Sequence, residues 1–131
     1  MSTTEQTTLE VAQRGFVHFK QGLETGQWEP FLEMITDDFT FWFPLGTYAG
    51  SHMGREKARE FFQFVSQAYS QGLSLTLTGI TSNHSTVVFE IRDEGILWGQ
   101  PYKNRVAVSF DVRGNKICAY REYLGSDGQS N

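Results

Sequence analysis

The chain has 131 residues, enough for one domain and too few for two separate hydrophobic cores. It carries 11 basic and 15 acidic residues, a net charge of −4 without a basic cluster, which argues against nucleic acid or an anionic membrane surface as partner. Cys118 is the only cysteine, so an internal disulfide and a multi-cysteine metal site are excluded, and the usage fits a reducing, cytoplasmic setting.

The polar first eight residues resemble neither a signal peptide nor a transit sequence. Thr7 followed by Glu10 offers a capping box, and Leu9, Ala12, Phe16, Phe19 and Leu23 recur at spacings of three and four, predicting an amphipathic helix that ends near Gly26. A short second helix is expected around Trp28, Phe31, Leu32 and Ile35, with turn chemistry in Thr36, Asp37 and Asp38. Rings alternating from Phe39 to Phe43 predict a strand stopped by Pro44 and Gly46, followed by a loop from Leu45 to Met53. Ala58, Phe61, Phe62, Val65, Ala68 and Tyr69 form one stripe of a third helix between Gly54 and Ser70.

From Leu73 onward the apolar period becomes two, in rows Leu73–Leu75–Leu77, Val87–Phe89–Ile91, Val106–Val108–Phe110–Val112 and Cys118–Tyr120–Glu122–Leu124. Turn formers separate these rows: Ser82 to His84, then Gly95 or Gly99 with Pro101, then Gly114 and Asn115; Gly95 is alternatively a bulge. Glycines 22, 26, 46, 50 and 54 read as loop and cap residues. Three helices before a four-strand meander predict an α+β fold, a cone-shaped roll with its helices packed on one curved sheet that encloses a cavity. The whole of 1–131 is expected to be one domain with an ordered core over about 8–125, leaving a Gly/Ser/Asp/Gln tail from Gly125 to Asn131. No apolar stretch approaches the roughly 20 residues of a membrane span.

The element order, the Phe-rich walls and two motifs resemble the ketosteroid-isomerase-like superfamily, also called nuclear-transport-factor-two-like or SnoaL-like, over Leu9 to Leu124. One motif is the strand ending in Pro44 and Gly46, then Gly50 and Gly54-Arg55-Glu56. The other runs from Tyr102, Lys103 and Asn104 through Gly114 to Ile117 and on to Arg121, Glu122, Tyr123 and Leu124. The resemblance implies a mostly antiparallel mixed sheet of cystatin-like type. It also implies isomerase, cyclase, dehydratase, epoxide hydrolase or purely binding roles, because the fold does not fix the reaction.

The three working positions of the steroid isomerases fall on Phe19, Asn104 and Phe43. A phenylalanine neither abstracts nor donates a proton, so authentic steroid isomerisation is not expected. Glu122 matches an active-site carboxylate of the phenazine-pathway and epoxide-hydrolase relatives, whereas the phenazine histidine falls on Phe61. Arg92 with Asp93 or Glu94 is a possible counterpart of the epoxide hydrolases' arginine and second acid, and is equally a solvated turn beside Gly95.

Glu122 on a strand facing Phe-rich walls would lose hydration, raising its pKa toward that of a general acid or base. Asn104 and Tyr120 are the candidate donors to a substrate oxygen. Phe19, Phe43, Tyr48, Phe61, Trp98 and Val106 are expected to line the pocket, with His52 at its mouth and Glu90 as a further polar candidate. Three scattered histidines provide no metal-ligand spacing, and no phosphate loop or dinucleotide fingerprint occurs, so neither metal nor cofactor is expected. Three roles stay open: a proton-transfer enzyme acting on a small hydrophobic carbonyl compound, a non-catalytic ligand-binding or dimerisation domain, and an epoxide hydrolase-like enzyme. Homodimerisation through the outer face of the sheet is expected as well.

Overall fold

A computed structural model describes residues 3–125. Helices α1 (Thr3–Thr25), α2 (Glu29–Leu32) and α3 (Arg55–Ala68) surround strands β1 (Ile35–Phe43) and β2 (Gly50–Met53). Strands β3 (Leu73–Ser82), β4 (Thr86–Leu97), β5 (Gln100–Arg113) and β6 (Lys116–Leu124) follow. All six strands form one sheet in the order β2-β1-β6-β5-β4-β3, antiparallel except where β1 runs parallel to β6. The expected α+β class and mixed sheet hold, with the helices on one face of an open sheet.

The apolar stripe of α1 (Val11, Ala12, Phe16, Phe19 and Leu23) is buried against β3 to β6. Phe19 is the hub, with its ring 5.7–6.2 Å from those of Trp28, Phe31, Phe62, Phe110 and Tyr120. Burying each such ring is worth about 1.5–3 kcal/mol, so this cluster ties α1, α2 and α3 to the sheet.

Several boundaries differ from the sequence expectations, each for a tertiary reason. Helix α1 already runs through Thr7 and Glu10, so they do not cap its start; Thr8 Oγ1 instead donates to the His84 carbonyl at 2.8 Å. Gly22 lies inside α1, under the ring of buried Trp28, and is not a loop residue. Helix α2 is only four residues long, and Ile35 to Asp38 join β1 because Ile35 pairs with Ile117 across the parallel β1/β6 ladder.

The expected loop from Leu45 to Met53 contains a 3₁₀ turn over Gly46–Tyr48 and then β2, held by pairing with β1. Gly95 is neither turn nor bulge but pairs with Tyr102 within β4 and β5, and the hairpin turns at Trp98-Gly99. Both of those residues have positive φ, 46° and 82°, as a two-residue I′ turn requires. Bulges interrupt two of the predicted rows. One at Thr78, between Leu77 paired with Ile91 and Gly79 paired with Glu90, makes Ile80 the next residue of the inward row, and one at Cys118 makes Ile117 the inward neighbour of Tyr120. The tail expected beyond Gly125 lies outside the described residues. No helix among the described residues is long and apolar enough to cross a membrane.

Candidate functional site

Between α3, the end of β1 and the far ends of β4 to β6 the helices do not fill the sheet's concave face. An outer vestibule of about 470 Å³ opens there, walled by Phe43, Tyr48, Phe61, Phe64, Trp98 and Tyr102, with Asn104 and Glu122 as polar members. An inner chamber of about 40 Å³ lies among Phe19, Leu23, Phe62, Val106 and Tyr120, with Asp93 and Glu122 as its acids. Glu122, Phe43, Val65 and Tyr69 border both spaces, which places the Glu122 carboxyl at the throat between them.

Strand periodicity puts Tyr120 and Glu122 on the same face of β6. The Tyr120 hydroxyl is buried and donates a hydrogen bond to Glu122 Oε1. Burial pushes Glu122 up to about 7, opposed by the Tyr120 hydrogen bond and reinforced by the negative charge of Asp93. The carboxyl keeps some exposure to the vestibule, but the surrounding protein removes most of its hydration.

Asp93 is 6% exposed, and its Oδ1 has no hydrogen-bond partner among the described residues. Desolvation raises it to about 6, moderated by backbone N–H groups including that of Asn104, its cross-strand neighbour. Two acids therefore share one apolar space, and neither lining includes a lysine, arginine or histidine. At about 1.4 kcal/mol per pKa unit, burial and mutual repulsion outweigh the hydrogen bonds that favour ionisation, which keeps a proton on the pair near neutrality.

The phenols around the pair stay neutral. Burial is the largest cause holding Tyr69, Tyr102 and Tyr120 above the usual tyrosine range. Asn104 Nδ2 donates to the Tyr102 hydroxyl at 3.2 Å, and its Oδ1 accepts from the Arg105 backbone N–H at 2.8 Å. At the outer wall the Tyr48 hydroxyl donates to Glu60 Oε2 at 2.6 Å, a bond that lifts Tyr48 to about 12.

The structure brings Glu122, Asn104, Tyr120, Phe19, Phe43, Tyr48, Phe61, Trp98 and Val106 to the two connected spaces. Tyr120 spends its hydroxyl on Glu122, so it positions the carboxylate and does not present a free donor to a substrate oxygen. His52 stacks on Phe41 at 4.9 Å and its Nε2 meets the Tyr48 carbonyl at 2.9 Å; it lines neither space. Glu90 is exposed on the opposite face of the sheet, beside Arg92 and Arg105. Epoxide hydrolysis needs Arg92 inside with Glu122, and strand alternation turns it outward.

Asp93 entered the sequence reading only as a partner for Arg92 or as part of a turn. The period-two row Phe89, Ile91 continues onto it, and that continuation was the available signal. Tyr69 and Tyr102 were also missed as wall residues, because the closeness of α3 to β5 is a tertiary fact: their rings lie 5.5 Å apart.

A family model for the SnoaL-like domain matches residues 16–120. The chain belongs to the SnoaL-like family. An NTF2-like protein from Anabaena variabilis ATCC 29413 has a crystal structure 58% identical to this SnoaL-like domain. It superposes with a TM-score of 0.92 and covers 100% of this chain and 98% of its own. A candidate SnoaL-like polyketide cyclase from Jannaschia sp. CCS1 is 19% identical, with a TM-score of 0.79 over 95% of this chain and 89% of its own. An LEH-like epoxide hydrolase of M. tuberculosis is 14% identical, with a TM-score of 0.69 over 92% of this chain and 84% of its own. Identities this low show a shared fold and nothing about the reaction. The search of curated proteins found no match to this chain.

Proposed function

We propose that this SnoaL-like domain binds a small hydrophobic organic molecule in the aromatic vestibule and moves a proton on it, in an isomerisation, cyclisation or dehydration. The observation that carries this reading is Glu122, a carboxyl raised to about 7 at the throat of an apolar cavity, where it can both take and return a proton near neutral pH. Tyr120 holds the carboxyl in one orientation, and Asp93 is the second acid of the pair. The Asn104 amide faces the vestibule and is the group available to a substrate carbonyl oxygen. A vestibule of about 470 Å³ is in the range of small-molecule sites.

The test is deuterium incorporation at the α-carbon of 2-tetralone in D₂O, followed by NMR with wild-type protein and Glu122→Gln. Catalysed exchange that falls by about a hundredfold or more in the variant, with affinity for the ketone retained, is the expected result. Because the ionised Glu122 carboxyl is the base that takes the α-proton, the rate should rise as pH passes about 7 and level off above it. Saturable ketone binding without exchange would make the domain a non-catalytic binder, and equal exchange in the variant would remove Glu122 from the chemistry.

A further inference from the structure

Every titratable side chain bordering the vestibule or the inner chamber is an acid or a phenol: Tyr48, Tyr69, Asp93, Tyr102, Tyr120 and Glu122. These come from the 3₁₀ turn, the C-cap of α3, β4, β5 and β6, while α1 and β1 contribute only apolar groups. Lys57 sits over the Tyr48 ring at 5.5 Å, but it pairs with Glu60 and borders neither space. Among the described residues, then, the fold buries two carboxyls without supplying a cation for them, and leaves Asp93 Oδ1 without a hydrogen-bond partner beside an open space. Buried acids are ordinarily paired, so the missing positive charge points to something that enters from outside.

The two spaces differ in what they can hold. The inner chamber, about 40 Å³, accommodates a charged head group or a few waters and no ring. The vestibule is more than ten times larger and offers the faces of Phe43, Phe61, Phe64, Tyr69, Trp98 and Tyr102, the surfaces a delocalised or alkylated cation prefers. Acids lie at the deep end and rings at the wide end, which fixes the polarity of a guest.

We propose that the ligand of this pocket is a hydrophobic amine, a protonated nitrogen on a ring-bearing body, with its ammonium at the Asp93–Glu122 pair and its body in the aromatic vestibule. This rests on the pocket assigned under the proposed function and narrows its substrate class. In that arrangement Asp93 is the counterion of the ammonium and Glu122 is left to exchange the proton. Amine binding then displaces a proton from the pair, because an adjacent cation favours the ionised carboxyls. Affinity should rise between about pH 5 and pH 8, as the two acids ionise while the amine stays charged and the surrounding phenols stay neutral.

The experiment uses the full chain and two isosteric probes, 2-(1-naphthyl)ethylamine and 2-(1-naphthyl)ethanol, titrated calorimetrically at several pH values and in two buffers of different ionisation enthalpy. The expected result is an amine preference of about tenfold or more at pH 8, shrinking toward pH 5, with proton release on binding. The isosteric variant Asp93→Asn should lose most of that preference while still binding the alcohol. Equal affinity for the two probes, or a preference unchanged in a folded Asp93→Asn protein, overturns the amine assignment and leaves the hydrophobic pocket standing. Failure of both probes to bind at millimolar concentration overturns the pocket itself. The wild-type comparison needs no variant, so instability of Asp93→Asn does not shelter the proposal.

Discussion

Glu122 and Asp93 couple function to stability with a sign opposite to that of an ion-paired acid. Both have folded pKa values above their ordinary ones, about 7 against 4.5 for Glu122 and about 6 against 3.8 for Asp93. The folded chain therefore binds more protons than the unfolded one across those windows, and stability falls as pH rises from about 4 to 7. Asp111 acts in the other direction. Its hydrogen bonds to Arg121 lower its pKa, so its contribution is present above 3.8 and lost as pH falls. We predict a melting temperature that declines between pH 5 and pH 8, and a Glu122→Gln variant that is more stable than wild type at pH 8 by about 1–3 kcal/mol. Scanning calorimetry of both proteins across that range checks it; a Gln variant less stable at pH 8 would mean that the carboxylate is not penalised. Glu122 was accessible to sequence reasoning because it shares a period-two row with Tyr120 beyond the Cys118 bulge and matches a carboxylate position of the resembled family. Tyr120 was on the same row, but no pattern in the sequence states that its hydroxyl is spent on its neighbour.

At the scale of elements, helix α1 shows how close packing overrides local preference. Replacing Gly22 by Ala should help an isolated helix by about 1 kcal/mol. Here the added Cβ would collide with three atoms of the Trp28 ring, which is 4% exposed, stacked 4.5 Å from Phe62 and tied through Nε1 to Ser66 Oγ at 2.7 Å. Overpacking against a ring held on both sides costs about 1–3 kcal/mol, so Gly22→Ala is predicted to destabilise the fold. Gly15→Ala should cost less, since its new Cβ meets the terminal methyl of Ile117, which can rotate. Urea unfolding of the two variants measures the difference, and a Gly22→Ala protein more stable than wild type would contradict the packing. The same contrast explains which elements the sequence revealed. Helix α3 and strands β3 to β6 carry one buried face each, so their apolar period announces them. Strand β2, Gly50-Ser51-His52-Met53, has no apolar alternation and exists through its pairing with β1. Thr36-Asp37-Asp38 has turn chemistry yet lies in β1, because the flanking Ile35 and Phe39 are fully buried.

For the whole molecule, the concave face of the sheet is occupied by helices and the pocket, and among the described residues no helix packs on the convex face. Trp42 of β1 and Tyr123 of β6 pair there at 5.5 Å, with Tyr123 47% exposed. Exposed Glu90, Arg92 and Glu94 alternate in sign along β4 on the same side, with Arg105 of β5 opposite Arg92. Pairing two copies through this face would cover the Trp42–Tyr123 pair and bring the mixed-sign rows of the two copies together. We therefore propose a homodimer formed through the convex sheet face, with each vestibule opening away from the contact. An interface of about 800 Å² per partner is the usual requirement, and a sheet of this width can provide it. Sedimentation velocity at micromolar concentration should show a dimer, and Tyr123→Glu, which replaces an exposed ring of the proposed contact by a charge that must be desolvated there, should shift it to monomer. Because β6 carries Tyr123 outward and Glu122 inward, that variant separates assembly from chemistry: the monomer should keep the amine preference and the ketone exchange. Loss of both in a folded monomer would mean that pairing holds β6, and with it the throat of the pocket, in its working position. A wild-type protein that sediments as a monomer would refute the convex face as an interface.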